Sequence, residues 1–425
     1  MRCRAFMLIV TAAFLSRVPS LRAQDAPARL AVASVEGPMT APSTRPSRDE
    51  NPPDIVDKLV QVDNADAWSE GTLANANVHA DEPARIELGF RESDFPRSGT
   101  WTGPQVETEF QFTDFIASFN ATTPPDSGVT LDVRVEQDGV WSPWVYLQSW
   151  GKTLTPPDRT THWDNGHVSI DTLMLDKPAT QYQCRIRLIS FDTDAKSPRP
   201  SVRRLSVCYS GVVADPQRRE KILKGSKDPT TQPVSPGEWA RDLPVPFRGQ
   251  GDVKNPKSIR KLICSPTSTS MVLQYYGIDR TTLENATAIY DPQYDMFGNW
   301  GRAVARAGEL GLDAYLMRFR NWDQVHQMIA RGVPVIASIR FRKGEVKGFL
   351  YEFTKGHLLV IRGFKPNGDV IVNDPARKDK GNGVVYSADE LAKAWFNHGG
   401  VGYIFEKPAT QPTPSEALAT PGEHP

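Results

Sequence analysis

The stretch Gly356–Ala376 reads "GHLLVIRGFKPNGDVIVNDPA". Two apolar runs, Leu358–Ile361 and Val370–Val372, flank Lys365-Pro366-Asn367-Gly368, and Pro and Gly are turn formers. The pattern predicts an antiparallel hairpin. With a four-residue loop from Lys365 to Gly368, Phe364 pairs with Asp369 and Leu359 stands opposite Asp374. Leu359 and His357 share one strand face. His357 and Asp374 then become diagonal neighbours, within reach of a polar contact. A carboxylate in that place fixes an imidazole tautomer and stabilises its charged form. A loop one residue longer breaks the arrangement, because a one-residue slip moves a side chain to the other face.

A histidine held by an acid needs a nucleophile, and one stands upstream in "ICSPTSTSMVLQYYG", Ile263–Gly277. The apolar spacing predicts a helix from Pro266 to Tyr276. Pro266 suits a first helical turn and Gly277 a helix end. Cys264 therefore sits at a helix N-terminus, where the dipole favours the thiolate, the nucleophilic form of the side chain.

The chain has four cysteines. Cys3 lies in the leader. Cys184 and Cys208 fall in strand patterns with opposite parity, which disfavours a bond between them. Cys264 is left without a partner, and an unpaired thiol in an exported chain is a candidate for reactivity. Of the seven histidines, His79, His162 and His167 lie in the β-patterned half, His424 is in the tail, His326 falls on a helix and His398 in a loop. His357 alone opens an apolar strand just after a glycine.

Around these motifs the second half alternates helices and strands. Helices are expected at Asn299–Leu310, at Asn321–Arg331 and after a Ser387–Glu390 capping box. Strands are expected at "LDAYLMRF", "VPVIASIRF" and "VGYIF". The class is α+β.

The first half is different. Val129, Leu131, Val133 and Val135 alternate with polar residues, and Gln137-Asp138-Gly139 makes a turn before "WSPWVYLQSWG". Further short strand patterns follow, with turns between them, which predicts an all-β sandwich.

The chain of 425 residues is long enough for two domains. The expected organisation is a signal peptide over 1–23, a disordered lead-in over 24–54 and a β-sandwich over 55–212. A linker over 213–243, the α+β domain over 244–407 and a disordered tail over 408–425 follow. The leader rests on Arg2 and Arg4, the apolar run Ala5–Leu15 and a small-residue site ending at Ala23. It implies secretion or a periplasmic place. No run is long enough to span a membrane. Lys plus Arg and Asp plus Glu are both 50, which gives no electrostatic case for a nucleic-acid partner. No metal-ligand spacing and no phosphate loop occur, so neither a metal nor another cofactor is expected.

The segment from about Pro244 to Lys407 resembles the papain-fold cysteine peptidases related to the double-glycine leader peptidases of bacteriocin exporters. It is closest in kind to their stand-alone secreted members, which carry an N-terminal β-rich domain. The resemblance rests on "CSPTSTSMVLQYYG", "GNWGRAVARAGELGLDAYL", "GVPVIASI", "GHLLVIRGF" and "DVIVNDPA". It implies Cys264 as nucleophile, His357 as general base and Asp374 as the orienting acid. The family also holds the oxyanion with a glutamine upstream of the cysteine. Gln250, fourteen residues ahead, is the match, with the Cys264 backbone N–H as second donor.

Asn299 and Trp300 are candidates for lining a substrate groove, the alternative being a helix cap and a core residue. Trp141, Trp144, Trp150 and Trp163 raise a carbohydrate as a partner of the first domain, although tryptophan in a small sandwich also serves as core. The expected activity is hydrolysis of a peptide or protein through a thioester acyl-enzyme. The rival is a non-catalytic peptide- or glycan-binding surface protein on the same fold.

Overall fold

The computed structural model describes residues 54–89, 96–153, 160–194, 196–225, 234–349 and 351–408. The expected signal peptide and lead-in up to residue 53, the expected tail from residue 409 and part of the expected linker lie outside them. The described residues all fall within one compact unit. Among the described residues no helix is long and apolar enough to cross a membrane.

The N-terminal part is β-rich, with thirteen hydrogen-bonded strands. Its longest strand, Thr172–Ser190, pairs first with Val106–Thr122 and then, past two register shifts, with Ser127–Gln137. It thereby passes from one group of strands to another. Val129, Leu131, Val133 and Val135 are fully buried, as their alternation requires. Phe112, Phe115, Tyr182 and Tyr209 close the core, with ring centroids 5.3–6.4 Å apart. Asp138 and Gly139 both take positive φ, 53° and 81°, the conformation of a tight hairpin turn. One short helix, Ala65–Ser69, interrupts an otherwise all-β region.

Cys184 and Cys208 are both free and buried. Cys184 packs in the β core. Cys208 faces the other way, into the core of the C-terminal part, so the parity argument separates them. Burial pushes the Cys184 thiol up to about 12 and Cys208 higher still, leaving both inert.

The C-terminal part places its helices ahead of a sheet. Helices Cys264–Tyr275, Thr282–Ile289 and Trp300–Glu309 come first. An antiparallel six-stranded sheet follows. Across it run Asp313–Arg318, Val401–Glu406, Val335–Phe341, Thr354–Phe364, Val370–Asn373 and Val384–Tyr386. Helix Trp322–Ala330 lies between the first strand and Val335–Phe341 in sequence, and Ala388–Trp395 precedes the last strand.

Two local expectations differ. Helix Thr282–Ile289 has a capping box, Thr281 with Glu284, a cap that the sequence pattern S/T-x-x-E also signals. At Ser387 no side-chain cap forms. Glu390 instead accepts from the Lys347 backbone N–H and pairs with Lys393, so it does not reach back to Ser387.

The expected linker is partly structured. It carries helices Pro216–Gly225 and Pro236–Trp239. Its last residues bond to the histidine strand, Leu243 N–H to Arg362 O at 2.8 Å and Phe364 N–H to Arg241 O at 2.9 Å.

The sheet's first strand, Asp313–Arg318, has one neighbouring strand. Side chains of Val106–Thr122 cover its other edge. Asn120 donates to Ala314 O at 2.7 Å and accepts from Ala314 N–H at 3.0 Å. Ser118 Oγ accepts from Leu316 N–H at 3.0 Å, and Asp114 pairs with Arg318. Residues 114, 118 and 120 share one face of their strand, so that face stands in for a missing strand and satisfies groups that burial would orphan.

Candidate active site

Cys264 is the first residue of its helix. The five residues Ser265 and Thr267–Ser270, small and polar, are completely buried. Their size lets the helix sit close on the sheet, and their hydroxyls fix it there. Ser268 Oγ donates to Leu358 O at 3.1 Å, and Ser265 Oγ lies 3.3 Å from the Tyr403 hydroxyl. These contacts bring the helix start beside the histidine strand.

His357 is buried, and its Nε2 lies 2.9 Å from Asp374 Oδ1. Nδ1 takes no part in that contact, and Cys264 and His357 act on each other's ionisation through a hydrogen bond and through charge. Burial pulls the His357 pKa down, but the hydrogen bonds and charges of Asp374 and Cys264 outweigh it and push it up to about 10. Burial raises Cys264, yet the His357 hydrogen bond and charge hold it below an ordinary thiol. The directions are those of a thiolate–imidazolium pair.

Asp374 is completely buried. Burial raises its pKa, and His357, Tyr386 and the Ala376 N–H together hold it below the usual carboxylate value. The Tyr386 hydroxyl donates to Oδ2 at 2.8 Å, and the Ala376 N–H to Oδ1 at 3.0 Å. Tyr386 stacks on Phe349 at 4.1 Å between centroids, and Tyr351 meets the His357 ring edge-on at 5.4 Å. Tyr386 and Tyr351 carry no motif. The pairing Val372–Val384 brings Tyr386 to Asp374, and nothing in the linear spacing announces it.

Gln250 comes to the same corner by its backbone, with N–H to Pro375 O at 2.9 Å. Its Nε2 donates to Arg260 O at 2.9 Å, in the segment that leads into Cys264. Its Oε1 is buried without a partner.

Asn299 and Trp300 are not brought to the thiol by any side-chain bond. Asn299 caps helix Trp300–Glu309 by accepting from Arg302 N–H, and donates to Asp291 at 2.8 Å. Trp300 packs on the core, and its N–H donates to Asp171 Oδ2 at 2.7 Å. Both therefore do the cap and core work that was their alternative.

Trp141, Trp144, Trp150 and Trp163, the candidates for stacking on a sugar, are engaged by protein groups. The Arg134 guanidinium lies 4.8 Å from the Trp141 ring centre and 4.9 Å from that of Trp144. Arg185 lies over Trp144 and Arg302 over Trp150. Trp163 donates to Gln137.

Residues 243–403 match the Peptidase_C39 like family, and residues 58–210 match the Peptidase C39 N-terminal domain. No curated protein matches the chain. Among solved structures, xylellain, a cysteine protease from Xylella fastidiosa, is 8% identical. The match covers 43% of this chain and 90% of that one, with a TM-score of 0.25. TmCBM61 in complex with beta-1,4-galactotriose is 11% identical, over 36% of this chain and 88% of that one, with a TM-score of 0.18. The family 32 CBM from C. perfringens NanJ in complex with galactose is 14% identical, over 36% and 99%, with a TM-score of 0.17. Similarity this low carries no argument about this chain.

Proposed function

We propose, from the premise that this chain is a C39-related papain-fold cysteine peptidase, that it works through Cys264, His357 and Asp374 and acts outside the cytoplasm. The architecture inferred is an all-β sandwich ahead of an α+β papain-like domain. The observation that carries the mechanism is His357, held at 2.9 Å by Asp374 on one side with the Cys264 thiol on the other.

In the resting pair the proton sits on His357. The Cys264 thiolate attacks the scissile carbonyl, and the Cys264 backbone N–H takes the developing oxyanion. Gln250 is the second donor in this reading, which requires its amide to turn from Arg260 towards the site. The tetrahedral intermediate collapses to a thioester. The amine leaves with the proton from His357. Neutral His357 then takes a proton from water, hydroxide adds to the thioester, and the acid product leaves as the thiolate and imidazolium are restored. Asp374 holds the ring orientation and the imidazolium charge throughout. Export rests on the leader sequence alone, and N-terminal sequencing of protein recovered outside the cytoplasm should begin at Gln24.

The test of the mechanism is the pH dependence of iodoacetamide labelling at Cys264, read by mass spectrometry, in wild type and His357→Ala. Fast labelling well below pH ~8 that disappears in the variant supports the pair. Labelling like a free thiol of pKa ~8.5 in both proteins refutes it.

A further inference from the structure

Three segments frame the thiol and its partners: 251–263, which runs into Cys264; 342–356, which runs into His357; and 375–380, which leaves Asp374. They carry eleven Lys and Arg residues against four Asp and Glu, in a chain whose totals are 50 and 50. The excess therefore falls in the segments that lead into and out of the three residues. Lys254, Lys257, Lys261 and Lys355 are exposed, and among the described residues no ion pair involves them. The acids of the second segment are engaged. Glu352 pairs with Lys343 at 2.8 Å, and Glu345 lies 2.9 Å from His398.

The same segments expose apolar side chains. Val253 is 83% exposed, Leu262 48% and Phe353 58%. Large apolar groups left in water, next in sequence to unpaired cations, suit a complementary partner, acidic and apolar together. Both segments adjoin contacts to the site. Gln250, just ahead of the first, bonds to Pro375, and Tyr351 in the second meets the His357 ring edge-on.

We propose that the peptide taken at Cys264 is acidic, with Asp or Glu residues near the scissile bond and an apolar side chain among them. The proposal rests on the peptidase reading of the site. The cations raise the local concentration of such a peptide and orient it by charge, an effect that salt screens. Basic peptides are excluded by the same field.

The experiment uses the full chain and two readouts that need no turnover. The first is the ratio of Cys264 alkylation rates by iodoacetate, an anion, and iodoacetamide, its neutral counterpart. The second is protection of Cys264 from iodoacetamide by a Glu-containing peptide and its Lys-containing match. Both are measured in wild type and in a variant carrying Lys254→Glu, Lys257→Glu, Lys261→Glu and Lys355→Glu. The ratio should fall about fivefold or more in the variant and fall with salt in wild type. The Glu peptide should protect wild type and lose its advantage in the variant. An unchanged ratio, or equal or better protection by the Lys peptide, overturns the proposal. Failure of the peptidase reading shows separately, as a Cys264 thiol with ordinary pH dependence.

Discussion

His357 Nε2 and Asp374 Oδ1 meet at 2.9 Å across a hairpin that contains two irregularities, and the contact depends on both. The loop is one residue longer than four, so Phe364 pairs with Val370 rather than Asp369. That alone would put Asp374 on the wrong face. A bulge between Ile361 and Gly363 returns the register, so that Ile361 pairs with Val372 and Val360 with Asn373. Asp374 follows directly.

The bulge is held by the chain from Arg241 to Leu243, and Gly363 is what admits it. A Cβ at Gly363 would lie 2.0 Å from Arg241 O, and backbone cannot yield cheaply. Gly363→Ala should therefore displace the 241–243 segment and cost about 1–3 kcal/mol. It should also slow Cys264 alkylation at neutral pH, because the His357–Asp374 contact depends on the bulge. Gly237→Ala, with its nearest neighbour at 4.0 Å, is the control and should change neither. Urea unfolding and labelling rates measure both. A Gly363→Ala protein with wild-type reactivity would separate the bulge from the site.

Asp374→Asn addresses the charge. Asp374 helps raise His357, and protonated His357 is what lowers Cys264. Removing the carboxylate charge should lower the His357 pKa from its value of about 10 and let the Cys264 pKa rise. The window in which thiolate and imidazolium coexist should narrow from both ends. In the alkylation profile, the acid limb should move up towards ~8.5. An acid limb that stays in place would mean Asp374 does not support the pair.

How far the sequence led can be judged residue by residue. The alternation at Val129–Val135, the turn at Asp138-Gly139 and the cysteine helix were legible because each rests on a local period or a backbone preference. The facing of His357 and Asp374 was also legible, but through an idealised register. The real hairpin reaches it by a longer loop and a compensating bulge, and a bulge stabilised by a segment more than a hundred residues away leaves no local trace. Tyr386 was illegible for the same reason, since only strand pairing brings it to Asp374. Asn299 and Trp300 could be read as groove or as cap, and only tertiary contacts separate the two.

Asp171 gives the fold a pH dependence. It is buried, accepts the Trp300 N–H at the start of a helix, and burial pushes its pKa up to about 7 from 3.8 despite that bond. An acid raised in the folded state binds more protons folded than unfolded between those values. Its contribution to stability is therefore present below about pH 4 and is lost as pH rises to about 7. Asp171→Asn keeps an acceptor for Trp300 without the titration. The difference in unfolding free energy between the two proteins should slope across that interval and level off above it. A difference independent of pH would mean Asp171 is already charged in the folded protein.

Asn120 tests whether the β-rich part is integral to the peptidase sheet. Its amide bonds both the N–H and the carbonyl of Ala314, at 3.0 and 2.7 Å, on an edge with no neighbouring strand. Asn120→Ala leaves two buried backbone groups unpaired, and each such group costs about 1–3 kcal/mol. Asn120→Asp keeps an acceptor for the N–H and removes the donor to the carbonyl, so it should lose less if it stays protonated and more once charged. The order expected at neutral pH is wild type first, with both variants well below it in Tm and unfolding in one transition. A single transition follows from two regions joined through buried polar bonds within one compact unit. Two separated transitions in wild type, with Asn120→Ala shifting neither, would mean that side chains of the β-rich part merely touch the edge strand.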